Sequence, residues 1–119
     1  MQLKALNLAK QSKIEMDKII VFSDHAEFRI NDRTLNKYDI IQVIHNPEQK
    51  FIDDDNDERN ICQSITKDIN GTDKLLRIII EETPDEILVI SAYLTTKIKK
   101  YWRGKTWFST MIKKPTVFH

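Results

Sequence analysis

His25, Arg29 and Arg33 recur at i, i+4 and i+8. On one helix that spacing lays the three side chains along a single stripe. Arginines four residues apart repel, so the stripe brings a structural helix no gain, and an anion between them removes the penalty. The guanidinium fork suits phosphate, and histidine titrates near neutral pH. These are the parts of metal-independent RNA cleavage: one group takes the 2′-hydroxyl proton, another protonates the leaving oxygen, and cations stabilise the charge developing on the phosphate. The competing reading is a solvated face whose arginines pair with Glu27, Asp32 or the acidic run Asp53–Asp57.

Other residues join this candidate site from the C-terminal third. Ser91, Tyr93 and Thr95 share one side of a β-prone run that leads to Lys97 and Tyr101. Tyr93 and Lys97 therefore enter the catalytic group beside His25, Arg29 and Arg33, although an unperturbed phenol is a reluctant proton carrier at neutral pH. Lys99, Lys100, Tyr101, Trp102 and Arg103 interleave cations with rings that can stack on bases, and with Arg77 they form the nucleic-acid-binding group. Arg77 is a lone charge in an apolar strand. It either pairs with a carboxylate on a neighbouring strand or faces the same site as Arg29.

Charge supports an anionic partner. The net charge is +1, yet no acid occurs from Tyr93 to His119, where Lys97, Lys99, Lys100, Arg103, Lys105, Lys113 and Lys114 cluster. Segregation of this kind produces one anion-attracting surface. Metal and cofactor chemistry find no motif, and neither is expected. The Asp53–Asp57 run lacks the glycine and distal glutamate of a calcium loop and reads as a solvated turn. His25, His45 and His119 lack ligand spacing, and with two glycines there is no glycine-rich phosphate loop. The single cysteine, Cys62, sits in a strand-like run and reads as a buried thiol. No apolar run spans a bilayer, and Met1–Lys18 is too polar for a secretory signal, so a cytoplasmic protein without membrane contact is expected.

The elements that must position these residues follow from periodicity. Residues 1–18 read as a helical extension, and Ile19–Phe22 as a short β-prone run. Asp24 as N-cap with Glu27 three residues later predicts a helix whose Ala26 and Ile30 face the core and which ends near Arg33. Asn36 starts a second helix with Ile40, Ile41, Val43 and Ile44 on its buried stripe, and Asn46-Pro47 stops it. Strands are expected over 50–53, 59–69, 75–81 and 87–95, with a hairpin at Asn70-Gly71 and a turn at Pro84-Asp85. A last helical turn follows over Lys97–Trp102. This order predicts an α+β fold with N-terminal helices packed on a four-stranded antiparallel sheet. Residues 104–119 form a basic-aromatic segment without clear period.

The segments His25-Ala26-x-x-Arg29-x-x-x-Arg33, Asn46-Pro47-Glu48, Leu75–Ile80 and Val89-Ile90-Ser91-Ala92-Tyr93-Leu94-Thr95 resemble the family called domain of unknown function 4258, over Ile19 to Trp102. That family is similar to the RelE/ParE toxin-like proteins and the wider barnase–EndoU–colicin–RelE group of nuclease folds. The resemblance implies a RelE/ParE-like domain over 19–103, RNA cleavage without metal, and a toxin held by a small antitoxin partner. It makes His25 the general acid or base and Arg29 and Arg33 the phosphate clamps. Thr34-Leu35 stands where the family pattern leads one to expect Gly-Ile. The alternative is a non-catalytic module that binds nucleic acid or a partner protein through its basic-aromatic end.

Overall fold

A computed structural model describes residues 18–104. The expected N-terminal helical extension and the tail beyond Gly104, with Trp107 and Phe108, lie outside the described residues. Ile19–Phe22 forms strand β1. Ser23 then turns the chain: its Oγ accepts the Ala26 N–H at 3.0 Å. The N-cap is therefore Ser23, one residue before the expected Asp24, and Asp24 and Glu27 fall in the first turn, where carboxylates favour the helix dipole. Helix α1 spans Asp24–Asp32 and buries Ala26 and Ile30. Just past it Thr34 has φ 55°, a left-handed conformation that β-branched residues resist and glycine accepts, at the position where Gly is expected from the sequence resemblance. Helix α2, Lys37–His45, is capped by Asn36, whose Oδ1 accepts the Tyr38 N–H at 2.7 Å and the Asp39 N–H at 3.4 Å.

Four longer strands follow: β2 Gln49–Asp53, β3 Asn56–Lys67, β4 Asp73–Glu82 and β5 Glu86–Thr95. The expected architecture is corrected here. The sheet has five strands in the order β1-β5-β4-β3-β2, and it is mixed, because β1 runs parallel to β5. Helices on a four-stranded antiparallel sheet do not describe it; the molecule is sheet-rich with short helices. The four apolar residues of β1 announce a strand, but periodicity carries no information about its partner. That partner lies more than sixty residues on, in the register Ile19↔Glu86 to Phe22↔Val89.

One face of the sheet is the core. Ala26, Ile30, Ile40, Val43 and Ile44 of the helices meet Cys62, Leu76, Ile78, Ile80, Val89 and Ala92. A register shift skips Ile90, since Ile79 pairs with Ser91 but Ile80 with Val89. This bulge flips the inward phase, so Ile87 and Val89 join Ala92 in the core where strict alternation predicts Leu88 and Ile90. Ile78 is fully buried, and Ile78→Ala is expected to cost about 2–5 kcal/mol, read as a lower urea midpoint at unchanged slope. Cys62 is also fully buried, and burial pushes its thiol up to about 11, with Lys50 opposing and Glu82 adding to the rise. Alkylation of the native protein at about pH 8 should be negligible and should become fast on unfolding; rapid native labelling would contradict a buried thiol.

The opposite face is covered at one end only. The short helix α3, Ile98–Tyr101, packs Ile98 and Trp102 on Leu75. Among the described residues no helix is long and apolar enough to cross a membrane.

Candidate functional site

On the face that α3 leaves open, four polar residues stand opposite one another across four strands. The register aligns Gln49 with Gln63, Gln63 with Arg77, and Arg77 with Tyr93. Their side chains are hydrogen-bonded from end to end. Gln63 Nε2 donates to Gln49 Oε1 at 2.7 Å, Arg77 Nε to Gln63 Oε1 at 2.9 Å, and Arg77 Nη1 to the Tyr93 hydroxyl at 2.8 Å. The two glutamines also fasten the chain beyond α3 onto the sheet. Gln63 Nε2 donates to the Tyr101 carbonyl at 3.1 Å, while Gln49 accepts the Arg103 N–H at 3.0 Å and donates to the Arg103 carbonyl at 2.9 Å. Tyr101 and Arg103 thereby hang over the row.

Arg77 is 7% exposed, with the Tyr101 ring 4.0 Å and the Tyr93 ring 5.7 Å from its guanidinium carbon. Burying a cation is expensive unless an opposite charge compensates it. Among the described residues Arg77 has no carboxylate partner; its neighbours are an amide, a phenol and two rings, and its Nη2 donates to none of them. The guanidinium lines a cavity of about 420 Å³, a size that admits a small ligand. Phe51, Ile61 and Ile79 form the next row of the floor, Lys100, Tyr101 and Arg103 form one wall, and Asp53, Asp54 and Asp55 line the rest. Arg103 stacks on Phe51 at 3.9 Å and bonds Asp54 Oδ2 at 3.1 Å.

The two tyrosines meet edge to face, with ring centroids 6.3 Å apart, and their acidities move in opposite directions. Burial pushes the Tyr93 phenol above its ordinary value, and interaction with Tyr101 adds to the rise against the pull of Arg77. Burial also opposes ionisation of Tyr101, but Lys100, Tyr93 and Arg77 together hold it below the ordinary value.

The residues singled out from sequence divide. Arg77, Tyr93, Lys100, Tyr101 and Arg103 come together in the cavity. Arg33 lies beside Tyr93 without lining the cavity: its Nη1 donates to the Ala92 carbonyl at 2.8 Å, and its guanidinium carbon lies 5.9 Å from the Tyr93 ring. His25 is exposed on α1, and Arg29 lies against Phe28 at 5.6 Å; neither lines the cavity. Lys97 and Lys99 are exposed outside it, and Thr95 Oγ1 accepts the Lys97 N–H at 3.0 Å. Trp102 is 8% exposed and packs in the small cluster under α3, away from the solvent a base would come from.

Sequence reasoning missed Gln49, Gln63, Phe51 and the acidic turn. Gln63 carried a signal, since it sits between Ile61 and Ile65 on one side of a strand, and an amide on an inward phase must find partners. Residues 22–94 match a family model described as Domain of unknown function (DUF4258). Neither a curated protein nor a solved structure gives a significant match.

Proposed function

The chain belongs to that domain-of-unknown-function family, and we propose that its cavity binds a phosphate of single-stranded RNA and cleaves the strand there, an endoribonuclease-like activity without a metal. One observation carries the reading: Arg77 is a buried cation with no carboxylate partner among the described residues, and it lines a ligand-sized cavity. A phosphate supplies the missing charge and accepts from the guanidinium fork. Lys100 stands on the same wall and favours the same ligand.

The tyrosine pair supplies proton transfer. Tyr101, whose acidity lies on the strong side of an ordinary phenol, takes the proton of the 2′-hydroxyl, and the 2′-oxygen attacks phosphorus. Tyr93, held as a phenol, gives its proton to the departing 5′-oxygen, leaving a 2′,3′-cyclic phosphate and a 5′-hydroxyl. Arg77 stabilises the charge on the phosphoryl oxygens as the new bond forms. The proposal extends to a toxin restrained by a small antitoxin partner.

Incubating the full chain with single-stranded RNA in a chelator tests this. Cleavage with cyclic-phosphate ends is expected, retained in His25→Ala and lost in Tyr101→Phe. Intact RNA overturns the catalytic reading. Intact RNA that is still bound, with affinity falling steeply as salt rises, identifies the non-catalytic nucleic-acid module instead.

A further inference from the structure

Gln63 is fully buried in the middle of the polar row, and its amide makes three hydrogen bonds. Oε1 accepts the Arg77 Nε–H at 2.9 Å. Nε2 gives one hydrogen to Gln49 Oε1 at 2.7 Å and the other to the Tyr101 carbonyl at 3.1 Å. Gln49 Oε1 also accepts the Arg103 N–H, so it faces Gln63 as an acceptor and fixes which way the Gln63 amide points. One side chain thus joins the guanidinium to the main chain that carries Tyr101. We propose, resting on the phosphate reading above, that Gln63 is the positioning residue of this site. It sets the separation of Arg77 from Tyr101 and, being neutral, leaves the charge of Arg77 to the ligand.

The position demands an unusual inventory: it must accept from a cation and donate to two oxygens at once. Ionised carboxylates only accept, lysine and arginine only donate, and a hydroxyl has a single hydrogen to give. A primary amide does both. Glutamate is the instructive comparison, because it has the same shape. Its carboxylate would take the Arg77 Nε–H and also neutralise the guanidinium, which is how a buried cation is ordinarily compensated. It would then set oxygen against oxygen at Gln49 Oε1 and at the Tyr101 carbonyl. The chain over the cavity would lose a fastening, and Arg77 would no longer need a phosphate.

The geometry gives Gln63 two separable duties. Gln63 and Tyr93 hold two different nitrogens of the Arg77 guanidinium, Nε at 2.9 Å and Nη1 at 2.8 Å, which fixes the plane of the fork. The Tyr101 ring stacks 4.0 Å from the guanidinium carbon, and Gln63 holds the carbonyl of that same residue. Affinity for an anion depends on the charge that Arg77 keeps. Rate depends as well on where Tyr101 stands, and a misplacement of about 1 Å costs about 10²-fold.

The full chain, Gln63→Glu and Gln63→Met are compared in RNA-binding titrations, in cleavage at saturating RNA and in thermal melts. Gln63→Glu keeps an acceptor for Arg77 Nε and should stay folded, yet bind RNA about tenfold or more weakly, the loss of one charge-assisted contact. Gln63→Met leaves the charge of Arg77 uncompensated, so affinity should stay near that of the wild type. Its kcat should fall by about 10²-fold, because nothing then fixes Tyr101 over the guanidinium. Wild-type affinity in Gln63→Glu overturns the inference, and so does wild-type kcat in Gln63→Met. Should one variant melt below the assay temperature, the other decides. If the wild type binds RNA without cleaving it, the affinity of Gln63→Glu decides. In all these outcomes the phosphate reading stands, whereas a wild type that binds no RNA overturns both.

Discussion

Arg77→Met is expected to cost RNA binding and cleavage far more than it costs folding. Activity should fall by about 10²–10³, the loss typical when one preorganised donor to a transition-state oxyanion is removed. Stability should fall by no more than about 1–3 kcal/mol, the cost of leaving the buried Gln63 Oε1 without its Arg77 donor, and less where it is offset by removing a desolvated charge that has no carboxylate partner among the described residues. Methionine refills much of the volume. Gln63 keeps its bonds to Gln49 and to the Tyr101 carbonyl, so the glutamine half of the row survives. A side chain whose loss costs activity but not folding is retained for the ligand. Arg77→Lys should recover binding only in part, since an ammonium group has no planar fork with which to meet Gln63, Tyr93 and a phosphate together. Thermal melts and RNA-binding titrations on the same samples decide the matter. A large drop in stability with Arg77→Met, and RNA affinity that merely follows the unfolded fraction, would make Arg77 a structural residue.

How much of this site was legible depends on what kind of contact makes it. Local signals read well: the Asn36 cap, the stop after His45 and the turn at Gly71, with φ 81°, are each set by residues close in sequence. Contacts across strands did not. Arg77 stood out as a lone charge in an apolar strand, but its partners are Gln63 and Tyr93, which become neighbours only once the register is known. The helical stripe shows the converse limit of local signals. His25, Arg29 and Arg33 do share a helix spacing, yet the helices pack on the core face of the sheet and the cavity lies on the other. Only Arg33, past the end of α1, is placed to reach Tyr93. Nor could spacing show that Trp102 turns inward while its neighbours Tyr101 and Arg103 line the cavity, since that depends on the two glutamines that hold the chain there.

Tyr101→Phe should remove about 10²–10⁴ of the cleavage rate, the range for a lost general base, with little change in nucleotide affinity. Its more telling effect is on the pH profile. With Tyr101 as the proposed base, its acidity lying on the strong side of an ordinary phenol, the rate should climb with rising pH as Tyr101 loses its proton. Tyr93 acts as phenol and is held on the weak side, so the rate falls on a more alkaline limb as Tyr93 ionises. Because the two hydroxyls interact, the limbs report values belonging to the pair. Lys100→Met separates their causes. It removes the charge that does most to favour the Tyr101 phenolate, so the ascending limb should move to higher pH and the rate at neutral pH should drop. Lys100 also lines the cavity, so KM will rise as well, and the limb must be followed in kcat at saturating RNA. An ascending limb that persists in Tyr101→Phe would assign the base to another group. A limb that stays fixed in Lys100→Met would mean that the titrating group is not the Tyr101 phenol beside that lysine. In that case the tyrosines would hold Arg77 in place without carrying protons themselves.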